Sequence, residues 1–185
     1  MKPVRIGLIR HFEVTQPMPS GWLTAHDLRD WLTAYNRAGV IARPLDLGGI
    51  AWGKCFSSDL PRAYTTAQAA FSGPIRQMPE LREPNIVPVP MGNLRLPLTV
   101  WRLMLHLAWL SSHPSQLPAK TDFLTRLDFL KTEVLAKAEE NTLIVSHAGM
   151  MAFLRKELMA LGFNGPSFRL AENGKLYVFE KRRSS

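Results

Sequence analysis

The sequence predicts an α/β protein: a three-layer α/β/α sandwich around a mostly parallel central sheet with an antiparallel edge. Three observations predict it. Short apolar runs at 4–9, 54–58 and 141–147 recur with helix-periodic stretches between them, the alternation that builds a parallel-cored sheet. Those runs are nearly free of charge, as strands covered on both faces must be. The last apolar run follows an Asn-Gly pair, a hairpin signal that adds the antiparallel edge.

The elements follow in order. Residues 4–9 read as a buried strand that runs straight into Arg10 and His11. A loop over 17–21 carries proline and glycine. Thr24 is the predicted N-cap of a helix over 25–38, where Leu28, Trp31, Leu32 and Tyr35 repeat at helical spacing and Gly39 supplies the C-cap. Residues 54–58 are a second strand. In "DLPRAYTTAQAAF" (59–71), Asp59 and Pro61 suit the first turn of an alanine-rich helix. "PIRQMPEL" (74–81) reads as a third strand. Pro84, Pro88, Pro90 and Pro97 make 84–97 irregular, ahead of a Trp- and Leu-rich helix over 98–110. Phe123, Leu127, Leu130 and Val134 mark one face of a longer helix over 120–139. Residues 141–147 are a strong buried strand and 148–162 a helix ending at Gly162. Residues 167–170 and 175–180 read as the arms of a hairpin turning at Asn173-Gly174. The whole chain, 1–185, fits one domain, with 84–118 as an irregular and helical insertion near the site and 181–185 as a basic, mobile tail.

Composition narrows the function classes. Hydrophobic residues at 46% and charged residues at 21% make a globular balance, not a disordered one. The single cysteine, Cys55, excludes an internal disulfide, so a reducing, cytoplasmic location is expected. The most apolar long stretch, 94–110, is broken by Arg95, Pro97, Arg102 and His106 and makes a poor membrane span. The apolar run at 4–9 is too short for a signal peptide. A net charge of +8 suits an anionic partner. The basic residues are dispersed and no nucleic-acid motif is present, so the expected partner is a small phosphorylated substrate, with neither nucleic acid nor membrane.

In open α/β sheets, ligands gather at the carboxyl ends of the strands. Here those ends carry Arg10-His11, then Ser57-Ser58 with Arg62 just inside the next helix. The third carries Glu80-Leu81-Arg82-Glu83, and the fourth Ser146-His147 with Ala148-Gly149 opening a helix. Taken alone, a strand-end histidine is usually structural and Arg62 a surface cation, while paired serines are usually caps. What singles them out is that each sits at an equivalent topological position.

The same stretches form motifs. "LIRHFE" (8–13) is similar to L-x-R-H-G-E, and "SSDLPRAYTTA" (57–67) fits S-S-x-L-x-R-A-x-x-T-A at every fixed position. Leu81-Arg82-Glu83 matches L-x-E, and "VSHAG" (145–149) is similar to V-S-H-G-G. On these four motifs, in order, the chain resembles the histidine phosphatase superfamily, with its phosphoglycerate-mutase-like fold. The resemblance implies a phosphatase that hydrolyses a phosphate monoester of a small metabolite through a phosphohistidine on His11. Arg10, Arg62 and His147 would bind the phosphoryl group, helped by a helix N-terminus after His147. Glu83 would protonate the leaving oxygen and then activate water. Because arginines supply the positive charge, neither a metal nor another cofactor is implied. Phe12, Thr15, Ser57 and Ala148 are candidates for the substrate pocket.

The chain also differs from the family pattern. Phe12 and Ala148 stand where glycines are usual, and Phe12 either narrows the pocket or points into the core. Pro17 replaces an asparagine found in mutases, and Val87 a common glycine; with the short chain, this favours phosphatase over mutase. Glu13 and Glu80 compete with Glu83 as the acid. Two other readings stay open: a non-catalytic phosphate-binding protein, and a protein phosphohistidine or phosphoserine phosphatase. Apolar residues of 84–118 are core, pocket lining or a contact of a possible homodimer.

Overall fold

The computed structural model describes residues 3–182. Its elements in chain order are β1 (Val4–Arg10), β2 (Glu13–Val14), β3 (Trp22–Leu23), α1 (Ala25–Arg37), β4 (Val40–Ile41), β5 (Lys54–Ser57), α2 (Pro61–Ala70), β6 (Ile75–Gln77), β7 (Leu96–Pro97), α3 (Leu98–Leu110), α4 (Leu117–Phe129), β8 (Thr142–Ser146), α5 (Ala148–Ala160) and β9 (Leu176–Lys181). One sheet runs in the order β6-β5-β8-β1-β9. Its first four strands are parallel, and β9 is antiparallel to β1. β8 is buried at all of its five residues, as a strand covered on both faces should be.

Side chains alternate between the two faces of the sheet. Ile6, Leu8, Ile144 and Phe179 join one core with Leu127 of α4 and Leu154 and Leu158 of α5. Ile9, Leu143, Val145 and Cys55 join a second with Ala63, Ala67 and Ala70 of α2. Those small side chains let α2 lie close on the sheet, bringing Arg62 near the strand ends. A third, smaller core holds Ala25, Leu28 and Trp101, with Trp31, Met91 and Leu96 packed against it. Trp101 Nε1 donates to the carbonyl of Leu23 (2.8 Å), and β3 pairs with β7, so part of the 84–118 segment is fastened onto α1. α3 leaves Val100, Leu103, Leu107 and Leu110 exposed.

The strand register positions the site. Arg10 stands opposite Ser146, and Ser57 opposite Val145. The carboxyl ends of β1, β8 and β5 are therefore level, and the residues following them are neighbours.

Several expectations are corrected. No hairpin forms over 167–180, because β9 takes the long, buried β1 as its partner and 167–170 make no strand. Gly174 does adopt the positive φ (+63°) of a turn, but its N–H donates to the carbonyl of Arg10 (2.8 Å). The third strand stops at Gln77, and Pro79–Leu81 form a 3₁₀ turn instead. Ala38, not Gly39, closes α1 in extended geometry, and the chain passes directly into β4, paired with β2. Asp59 lies ahead of α2 and accepts two hydrogen bonds from Arg82 (2.7 and 2.6 Å). The longer helix starts at Leu117 and ends as a π-helical stretch, Leu130–Leu135, which keeps Leu130, Val134 and Leu135 all buried. Lys181 closes β9 rather than opening a mobile tail, and residues 183–185 of that tail lie outside the described residues. Among the described residues, no helix is long and apolar enough to cross a membrane.

Candidate active site

His11 extends the β1–β8 ladder by one step, its N–H donating to the carbonyl of Ser146 (3.0 Å). The backbone here is gripped twice more: Phe12 N–H donates to Thr66 Oγ1 (2.8 Å) and Asn173 Nδ2 to the carbonyl of His11 (2.7 Å). His11 Nδ1 lies 2.6 Å from the carbonyl of Phe12. A carbonyl only accepts, so this contact assigns the proton to Nδ1 and leaves the Nε2 lone pair free.

The ring of His147 lies 5.1 Å from that of His11, centroid to centroid. Its Nε2 is 2.9 Å from Ser58 Oγ. The Ser58 hydroxyl has no other acceptor among the described residues, so it donates to Nε2, and Nδ1 of His147 carries the proton. Arg10 Nη1 donates to the carbonyl of Ala171 (2.8 Å), and Arg62 Nη1 to Asn36 Oδ1 (2.9 Å). Arg10 Nε, Arg62 Nε and His147 Nδ1 are buried without a hydrogen-bond partner among the described residues. Each such donor costs about 1–3 kcal/mol, and the action of Arg62 and Arg10 on His11 and the 5.1 Å between the two rings put all three near that imidazole.

Electrostatics agree with neutral imidazoles. Burial pushes His11 down to about 3, with Arg62 and Arg10 adding to the shift and the Phe12 carbonyl opposing it. His147 is held well below its ordinary value by burial first, then by Arg62. Glu83 is raised, because burial outweighs the N–H groups and arginines that favour its ionised form.

Glu83 is placed by three elements. Ser146 Oγ donates to the carbonyl of Leu81 (2.7 Å), and Arg126 Nη1 of α4 donates to the carbonyls of Glu80 (3.2 Å) and Arg82 (3.0 Å). The N–H groups of Gly149 (2.8 Å) and Met150 (3.5 Å), at the start of α5, donate to the Glu83 carboxylate. This corrects one expectation: that helix N-terminus binds Glu83 rather than standing open to a phosphoryl group. A Cβ at position 149 would lie 2.6 Å from Glu83 Oε1, so the approach requires glycine. Glu13, by contrast, is exposed on β2.

The pocket candidates divide. Phe12 is fully buried, with its ring against Gly174, so it points into the core and does not narrow a pocket. Ser57 is also fully buried, and its hydroxyl proton is taken by the carbonyl of Ser58 (2.8 Å). Thr15 is exposed and bonded to Gly39, while Ala148 opens α5. Three residues of the site environment had no functional reading in the sequence: Asn173 passed as a turn residue, and Tyr35 and Asn36 as ordinary helix positions.

The family model for the histidine phosphatase superfamily (branch 1) matches residues 6–185. The chain belongs to that superfamily. Two solved structures are similar to it. One, an Escherichia coli K-12 protein assigned provisionally as an alpha-ribazole-5'-P phosphatase, has a TM-score of 0.57 at 20% identity, covering 97% of this chain and 95% of that one. The other, mycobacterial hydrolase 2, has a TM-score of 0.51 at 14% identity, covering 100% and 84%. At these identities the likeness is one of fold, the α/β architecture described above. A comparison with curated proteins finds no match.

In this histidine phosphatase superfamily member, four fixed positions of the motif at 57–67 acquire a physical reason. Ser58 orients His147, and Thr66 accepts from Phe12 N–H while donating to the carbonyl of Arg62 (2.8 Å). Ala63 and Ala67 permit the close packing of α2 on the sheet.

Proposed function

We propose that this protein is a phosphoric monoester hydrolase that acts on a small metabolite through a phosphohistidine at His11 Nε2. The observation that carries the proposal is the trio of buried, unpaired donors around a neutral imidazole whose Nε2 is free. A phosphoryl group offers three acceptor oxygens, one for each of Arg10 Nε, Arg62 Nε and His147 Nδ1. Nε2 attacks phosphorus in line, and the bond to the leaving oxygen breaks as Glu83 gives that oxygen its proton. The ring becomes positive on attack, and the Phe12 carbonyl at Nδ1 stabilises that charge. Glu83, now a carboxylate, takes a proton from water. The water attacks phosphorus, the N–P bond breaks, and inorganic phosphate leaves with His11 neutral again.

Depth favours a small ester over a protein side chain, since His11 is 3%, His147 2% and Arg62 5% exposed. The test is hydrolysis of an aryl phosphate and of a panel of ribose and sugar phosphates, alpha-ribazole 5'-phosphate among them. His11→Ala is expected to lose about 10³-fold or more in turnover and to form no acid-labile phosphoenzyme. Equal, negligible turnover by both proteins, with phosphate still bound, would establish the binding-protein reading instead.

A further inference from the structure

We infer that Asn36, in the last turn of α1, is a positioning residue for Arg62, working with the ring of Tyr35 to hold the guanidinium for an anion without neutralising it. The inference rests on the phosphoryl-binding role proposed for Arg62. It concerns a part of the molecule that the four motifs do not reach.

Arg62 is buried, and a buried arginine is ordinarily paired with a carboxylate. This one is not. Its Nη1 donates to the neutral amide oxygen of Asn36 (2.9 Å), and its guanidinium carbon lies 4.9 Å from the centroid of the Tyr35 ring. The two contacts restrain different motions. The hydrogen bond fixes the direction of one N–H in the guanidinium plane, and the ring restrains the plane itself. Nε is left buried and unpaired among His11, His147 and Arg10.

The choice of an amide is the informative part. A carboxylate at position 36 would accept the same hydrogen bond, but it would also form an ion pair with Arg62 and compete with a phosphoryl dianion. An amide accepts without adding charge, so the full cation stays available to the ligand. Asn36 itself is exposed, so its side chain adds little to the core. α1 is in turn held by the 84–118 segment through Trp101 and the β3–β7 pair, which links that segment to the phosphate cradle.

The experiment combines aryl-phosphate kinetics, calorimetric binding of inorganic phosphate, and thermal melting on four variants. Asn36→Ala should raise KM and the phosphate Kd about 5- to 10-fold, with kcat within about 3-fold and Tm unchanged. Asn36→Asp keeps the acceptor but adds charge, and should raise both constants more, about 30-fold, with Tm unchanged or higher. Tyr35→Leu should resemble Asn36→Ala, and Tyr35→Phe, which keeps the ring, should raise both constants less than Tyr35→Leu does. A merely structural Asn36 would give the opposite pattern: Tm falling in Asn36→Ala, with Asn36→Asp restoring both Tm and binding. That pattern, or wild-type KM and Kd in both Asn36 variants, overturns the inference. Because phosphate binding is read without turnover, a wild type that binds phosphate but hydrolyses nothing would refute the phosphatase reading while leaving this one to be decided by the variants. A wild type that does neither refutes both.

Discussion

The carboxyl of Glu83 meets two opposing demands. Burial raises its pKa and favours the protonated form that a leaving oxygen needs. The N–H groups of Gly149 and Met150 hold the ionised form that must later accept a proton from water. Gly149 makes this balance possible, because any side chain there would collide with Oε1. Gly149→Ala should displace the carboxyl and lower kcat by about 10²-fold, while costing the fold about 1 kcal/mol or less. The loss should be larger for an alkyl phosphate than for a nitrophenyl phosphate, whose leaving group needs little protonation. An equal loss on both substrates would remove Glu83 from the acid role. At this scale the sequence placed its candidates where chemistry dictates residue type: Arg10, His11 and His147 stand at strand ends, Arg62 in the first turn of α2 and Glu83 just past the 3₁₀ turn, all within fixed motifs. Asn36, Tyr35 and Asn173 were not legible, because each has a sufficient local explanation as a helix or turn residue and meets the site only through long-range packing.

At the scale of elements, β1 and β8 could be read because a strand covered on both faces needs a mostly apolar run, β5 (Lys54–Ser57) offers only Cys55 and Phe56 for that purpose, and the bounds of α3 coincide with the expected 98–110. The choice of strand partners could not. Asn173-Gly174 carries the local chemistry of a hairpin turn, yet β9 gains more by pairing along β1 than along a short arm at 167–170. α4 was legible as a helix, but its mechanical task was not. Through Arg126 it holds two carbonyls of the segment that carries Glu83, and the same guanidinium is paired with Asp122 (2.9 Å) and lies over Phe123. Arg126→Ala should therefore cost about 1–2 kcal/mol in urea denaturation. It should also lower kcat with little change in KM, because the acid moves while the phosphate cradle stays. A variant that loses stability but keeps full kcat would show that Glu83 is held adequately by Ser146 and α5 alone.

For the whole molecule, two neutral histidines buried among arginines in a chain of net charge +8 make acid the weak direction. The sign follows from proton linkage. In the unfolded chain His11 takes up a proton below its ordinary value of 6.5, whereas in the folded protein it does so only near 3. Between those values the unfolded state binds more protons, so stability is full above about pH 6.5 and falls as pH drops toward 3. From pH 7 to pH 5, His11 alone should remove about 2 kcal/mol, and His147 acts in the same direction. Glu83 works the other way, since its raised pKa adds stability as it becomes protonated. Comparing wild type with His11→Gln cancels that opposing contribution. Urea denaturation at the two pH values should show wild type losing about 2 kcal/mol more than the variant. If both proteins lose the same amount, His11 is not held neutral by burial, and the free Nε2 lone pair on which the proposed chemistry depends is no longer supported.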